Sequence, residues 1–171
     1  MQKDWRGLIK ILEVQHIRDG KVIWESKNIY NTLHNSGEMY LLMCAFDNTG
    51  AYPPANYYFG LDNRLGISVI DTIGSLSGEP SGNGYLRAGV ASSGQFTVSA
   101  LGDLYRATSQ IVTFSATGTG WGPVRNLFLA TTNDNSGILL ASAPLSNPIT
   151  LTNGDAVNMR MALSLQDVST V

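Results

Sequence analysis

The stretch Val124–Leu145, VRNLFLATTNDNSGILLASAPL, sets two aliphatic runs on either side of Asn133-Asp134-Asn135-Ser136. Short apolar runs bounded by Asn, Asp, Ser and Gly read as strands joined by a turn, because those residues bond their own backbone or accept positive φ. The same punctuation recurs outward from this stretch. YYFGL, YLRAGV, GQFTVSA, SQIVTFSAT and AVNMRMALSLQ are further short runs, separated by Asn83-Gly84, Gly118 to Gly122 and Asn153-Gly154. Seven or more such runs predict a mainly β fold, an antiparallel β-sandwich or jelly-roll-like arrangement. Residues 68–76, SVIDTIGSL, read either as a strand or as a short helix.

Toward the N-terminus, LIKILEVQHIR (8–18) and KVIWESKNIY (21–30) flank Asp19-Gly20. Asp-Gly between two strand-like runs predicts a β-hairpin, since a tight primed turn needs positive φ. Asn31 to Phe46 then changes period: Leu33, Gly37, Tyr40, Leu41 and Cys44 recur at helical spacing. One helix near 33–46 is predicted, capped by Asn35 or Ser36 and ended before Gly50 and Pro53-Pro54.

A chain of 171 residues that is 43% hydrophobic fits one domain spanning 1–171. Residues 1–7 read as an N-terminal arm with core strands beginning at Leu8. Net charge is -2, so no field draws DNA or an acidic membrane, and neither is expected as a partner. Six of the eleven basic residues precede Tyr30, whereas the half after Ala88 is Gly, Ser, Thr, Asn and aliphatic. That composition suits β-structure and surfaces that face another protein. Cys44 is the single cysteine, which excludes an internal disulfide or thiolate cluster and reads as a small buried side chain. The first twenty residues lack the apolar core of a signal peptide, and the run from Met39 to Phe46 is too short to span a bilayer, so synthesis in a cytoplasm is expected.

No local pattern assembles catalytic chemistry. His16 falls mid-strand and His34 at the helix start, where an imidazole bonds the backbone more often than it does chemistry; His34 and Glu38 suit a capping contact, as a zincin site needs a second histidine. Gly74-Ser75-Leu76-Ser77-Gly78 places leucine where a hydrolase nucleophile must sit. Gly118-Thr119-Gly120-Trp121-Gly122-Pro123 opens like a dinucleotide fingerprint, but a strand-like run follows where a helix is required. Asn133 to Gly137 lacks the carboxylates of a calcium loop and is better explained by turn chemistry. No catalytic, metal or cofactor residue is therefore assigned. Paired carboxylates meeting only in space would leave no such trace.

Ser75–Val90, SLSGEPSGNGYLRAGV, carries a glutamate, a tyrosine and an arginine in a long excursion. Glu79-Pro80 starts a turn, Gly82 and Gly84 permit positive φ, and Tyr85-Leu86-Arg87 reads as the start of a strand. Glu79 pairing with Arg87 across the loop, or Arg87 reaching a neighbouring subunit, are the two structural readings. Among the aromatics, Trp5, Trp24 and Trp121 with Tyr52, Tyr57 and Tyr58 could form a sugar-stacking or docking surface; core placement of Trp24 and Phe59 is the simpler expectation. Trp5, flanked by Arg6 in the arm, reads as an anchor on a neighbour. Trp5, Arg6, Glu79 and Arg87 are thus the candidate interface residues.

Read together, IRDGKVIWESKNIYNTLHNSGEMYLL, YYFGLDNR, DTIGSLSGEPSGNGYLRAGV and TFSATGTGWGPVRNLFLATTNDNSGILLASAPLSNPITLTNGDAVNMRMALSL resemble small virion proteins of tailed bacteriophages. The likeness lies in the order and phrasing of blocks over nearly the whole chain, and it carries over no functional residue. It implies a non-enzymatic structural protein of the virion. The first expectation is a capsid decoration (cement) protein that binds the major capsid protein and copies of itself, as a trimer. The alternative is a tail or head fibre component, a host-surface adhesin with a glycan as partner.

Overall fold

A computed structural model describes residues 4–47, 52–102 and 104–168. The expected N-terminal hairpin is present: β1 (Asp4–Arg18) and β2 (Lys21–Tyr30) pair antiparallel. The turn between them has φ of 50° at Asp19 and 72° at Gly20, the double left-handed conformation of a two-residue primed turn. β1 starts at Asp4 and not at Leu8, with Trp5 opposite Asp167 and Arg6 opposite Gln166. From Asp4 onward the segment expected as an arm is therefore strand, because the C-terminal strand extends far enough to supply its backbone partners. Residues 1–3 of that arm, and the side chains of Trp5 and Arg6, lie outside the described residues.

After β3 (Thr32–Leu33) comes α1 (Asn35–Phe46). The expected cap at Asn35 or Ser36 is corrected: His34 holds the cap position without a side-chain cap bond, and the Ser36 hydroxyl donates to the Leu139 carbonyl at 2.9 Å. The sheet, and not the helix's own orphan amides, claims that hydroxyl. The Glu38 amide donates to the His34 carbonyl as the first helical bond. Gly37 and Tyr40 are buried, with Leu41 and Cys44 packed on the core, so the predicted helical stripe faces inward.

Eight more strands follow: β4 (Asn56–Asp62), β5 (Ala88–Ala91), β6 (Phe96–Leu101), β7 (Leu104–Ser109), β8 (Val112–Ser115), β9 (Trp121–Ala130), β10 (Leu139–Leu151) and β11 (Ala156–Val168). They build two antiparallel sheets, in the orders β2-β1-β11-β7-β6 and β3-β10-β9-β4-β5, with β8 also paired to β11. The result is the two-sheet sandwich the sequence predicts. Val14, Val157 and Met159 of one sheet and Phe59, Leu61, Val124, Leu127 and Leu151 of the other lie in one continuous core. Phe59 is fully buried, as expected, and Trp24 is half-buried against the same core.

Three boundaries differ from the sequence reading. The run SQIVTFSAT breaks at Gln110-Ile111 into the end of β7 and the whole of β8; the buried Ser109 hydroxyl accepts the Met161 amide at 3.1 Å across the break. The β7 strand, LYRATS, is legible only through its pairing with β6 and β11. Residues 68–76, open between strand and helix, form a 3-10 turn at Ile73–Ser75. Tyr85-Leu86-Arg87 does not begin a strand, since β5 starts at Ala88; the Tyr85 and Arg87 side chains serve the excursion that precedes it, and Leu86 is exposed.

Candidate functional site

The excursion between β4 and β5 covers the outer face of the five-stranded sheet. Strand alternation sends Leu127 and Leu129 inward and Phe128 and Ala130 outward. Outside, Phe128, Ala130 and Leu139 pack with Ile73 and Leu76 into a second small core. Phe128 lies directly opposite Gly60, where a Cβ would stand 2.1 Å from the ring. The Arg87 guanidinium carbon sits 5.3 Å from the centre of the same ring, so Phe128 is stacked between a glycine backbone and a cation.

Arg87 closes this layer. Its Nε and Nη2 donate to the two Glu79 oxygens at 2.8 and 2.7 Å, and Nη2 also reaches Asn135 Oδ1 at 2.7 Å. Nη1 donates to the Asp134 carbonyl. Tyr85 donates its hydroxyl to Glu79 Oε1 at 2.7 Å and accepts the Leu61 amide at 3.0 Å. Burial, with the Glu79 charge beside it, pushes the Tyr85 phenol up. Burial opposes the Arg87 charge, yet the Glu79 bonds hold its pKa above the usual value. Glu79 and Arg87 therefore pair across the loop, and the Arg87 side chain is only 5% exposed. The stretch Asn133–Gly137 is a turn: Asp134 Oδ1 accepts the amide and hydroxyl of Ser136, which lower its pKa. The arrangement is a buried clasp that fixes a loop to a sheet.

A second polar cluster sits at the far end of the sandwich, where the β1–β2 turn meets the turn before β11. Asp155 is 1% exposed. It accepts from Arg18 Nε and Nη2 at 2.8 and 2.6 Å, and from the Thr152 amide at 2.8 Å. The hydrogen bonds from Arg18 hold its carboxyl well below the usual range. An ionised carboxylate only accepts, so His16 Nε2 carries the proton it shares with Asp155 at 3.1 Å. His34 is fully buried: Nδ1 donates to the Val69 carbonyl at 3.2 Å, and Nε2 accepts from the Ser142 hydroxyl at 2.9 Å. Burial lowers its pKa and keeps it neutral. Both histidines are thus bound into the fold, His34 to the backbone as anticipated.

The glycine-rich Gly118–Pro123 leads into strand β9, and Trp121 is buried with its indole N–H donated to the Asn83 carbonyl at 3.0 Å. Trp121 belongs to the core and not to a stacking surface. Tyr52, by contrast, is exposed, and its carbonyl accepts the Tyr40 hydroxyl at 2.8 Å. Among the described residues no group of three or more His, Cys, Asp and Glu side chains could hold a metal ion. No helix among them is long and apolar enough to cross a membrane.

Sequence reasoning missed the Asp155 cluster and its surroundings. Arg18 and His16 are 137 and 139 positions from Asp155, and the only local signal is an aspartate one step after the Asn153-Gly154 turn. No curated protein matches the sequence. A family model does, over residues 32–165, and its description is podophage GP4 fiber I protein gp80. With most of the chain matched, and the whole five-stranded sheet and the clasp inside the matched span, the chain belongs to this family of phage fibre proteins.

Proposed function

We propose that the chain is a component of a virion fibre, working by contact and not by catalysis. As a member of a phage fibre family it is a structural component of the virion. The family match is the observation that carries the fibre reading and favours it over capsid decoration. The architecture supports it in kind: a disulfide-free sandwich with clasped loops gives a rigid scaffold on which exposed surfaces do the work.

The reading includes contact with other copies of the chain. Met39, Leu42 and Phe46 lie on one face of α1 and are each more than half exposed, and an apolar patch of this kind marks a contact surface. Trp5 and Arg6, beside the C-terminal strand, are proposed as further contact residues. Glu79 and Arg87 act within the chain in this reading, through the clasp. A trimer remains the proposed assembly. Cryo-electron microscopy of virions carrying a tagged copy tests the placement: tag density on fibres is expected, and regular density over the shell would return the protein to the decoration class. Phe46→Glu should reduce self-association in sedimentation; an unchanged oligomer would remove α1 from the interface.

A further inference from the structure

His16 and Arg18, the partners of Asp155, line an open cleft of about 260 Å³, and the other strands that line it, β2 and β10, are both irregular. On β2, Trp24 pairs with His16 and Val22 with Ile17, so Ile23 is an extra, bulged residue. A bulge breaks strict alternation, and Ile23 and Trp24, successive in sequence, both line the cleft. On β10, Pro144 pairs with Asn126 and Ile149 with Val124. Leu145 to Pro148 therefore stand opposite Arg125 alone, and this swelling brings Asn147 to the same cleft, with Thr150 just beyond it. Bulges concentrate where a side chain must be re-aimed. Here one from each sheet is aimed at a single hollow.

The chemistry of the lining is mixed and close to neutral. Trp24 offers a half-buried aromatic face, and Asn147 and Thr150 are exposed, offering an amide and a hydroxyl. Arg18 is 43% exposed at its side chain and engages Asp155 through Nε and Nη2, which leaves Nη1 outside that ion pair. The buried carboxylate balances the guanidinium, so the site carries no excess positive charge for a polyanion. It is not an apolar slot for an acyl chain either. An aromatic face beside planar and hydroxylic hydrogen-bonding groups suits a ligand with C–H faces and hydroxyl edges.

We infer that this cleft binds a saccharide, with a sugar ring stacked on Trp24 and its hydroxyls bonded by Asn147, Thr150 and Arg18. The volume is just below the ~300–1,000 Å³ of sites for drug-sized ligands, so one or two rings of a surface glycan occupy it. The inference rests on the fibre reading only for the biological source of that glycan. Saccharide binding by the isolated chain and placement of the chain in the virion are read separately, so either can fail without the other.

The test uses the full chain on a printed array of bacterial lipopolysaccharide and capsular oligosaccharides, followed by calorimetric titration of the best-retained oligosaccharide. Asn147→Ala and Thr150→Val should each weaken binding roughly 3- to 10-fold, the scale of one lost neutral hydrogen bond. Trp24→Ala should weaken it about tenfold or more through the lost stacking face, and Tyr105→Ala, an exposed aromatic on β7 outside the cleft, should not. If Trp24→Ala fails to fold by circular dichroism, the two surface variants still decide. No oligosaccharide retained by the wild type would overturn the inference. So would equal retention by Asn147→Ala and Thr150→Val, or a loss of self-association in those variants in place of a loss of saccharide.

Discussion

Replacing Gly37 with alanine sets two effects against each other, and the structure decides which prevails. In a solvated helix, alanine is favoured over glycine by about 1 kcal/mol. Here a Cβ would stand 2.3 Å from the Leu140 carbonyl oxygen and 2.7 Å from its Cα, both well inside ordinary contact, which begins at 3.4 Å. Both obstacles are backbone, so no rotamer change relieves the overlap. Forced overpacking costs about 1–3 kcal/mol. Lifting the helix instead would strain the His34 amide bond to Leu140 and the His34–Ser142 bond, 2.9 Å each, at about 1 kcal/mol apiece. The net expectation is a loss of about 1 kcal/mol, or roughly 2–4 °C in Tm for a chain of this size. Thermal and urea unfolding followed by circular dichroism measure it, with Gly66→Ala as the control, since an added Cβ there meets nothing within 4 Å. A Gly37→Ala protein as stable as wild type would show that the helix does not depend on close approach to β10.

The clasp and the buried ionisable groups make further predictions. Arg87→Met removes the guanidinium donors from Glu79 and from the Thr132 and Asp134 carbonyls and should cost about 3 kcal/mol in urea unfolding; adding Glu79→Gln should recover part of it, and no recovery would refute the pairing. Burial lowers the His34 pKa, so the unfolded chain binds the extra proton first and stability falls as pH drops below about 6.5. Denaturation midpoints measured across that range should show the fall, and His34→Gln should flatten it. Asp155 is held low, so what its charge contributes is present above a pKa of about 3.8 and lost as pH falls below it. Asp155→Asn should therefore lower the midpoint at neutral pH, with the gap to wild type closing in acid; a gap that persists in acid would mean the turn, and not the charge, matters.

How much was legible depended on the distance over which each feature is determined. Asp19-Gly20, the helical stripe from Gly37 to Cys44 and the runs on either side of Asn133–Ser136 are local, since turn chemistry and periodicity act within a few residues. They declared hairpin, helix and sandwich without help. The Glu79–Arg87 pair was also within reach, eight positions apart in one loop, although its anchoring to Asn135 was not. Trp24 read as core and proved half core, half cleft, because the bulge at Ile23 that turns it depends on register with β1 and leaves no mark in composition. The break at Gln110-Ile111 was equally hidden, since only the pairing with β11 creates it. The sequence by itself determined the element types and the two-sheet class, and its blocks pointed to a virion structural protein, but with capsid decoration placed ahead of fibre; the family match reversed that order. Only the tertiary structure decided where polar groups meet: the pairing of β1 with β11 brings Asp155 to His16 and Arg18, and the bulges of β2 and β10 shape the cleft beside them from strands far apart in sequence.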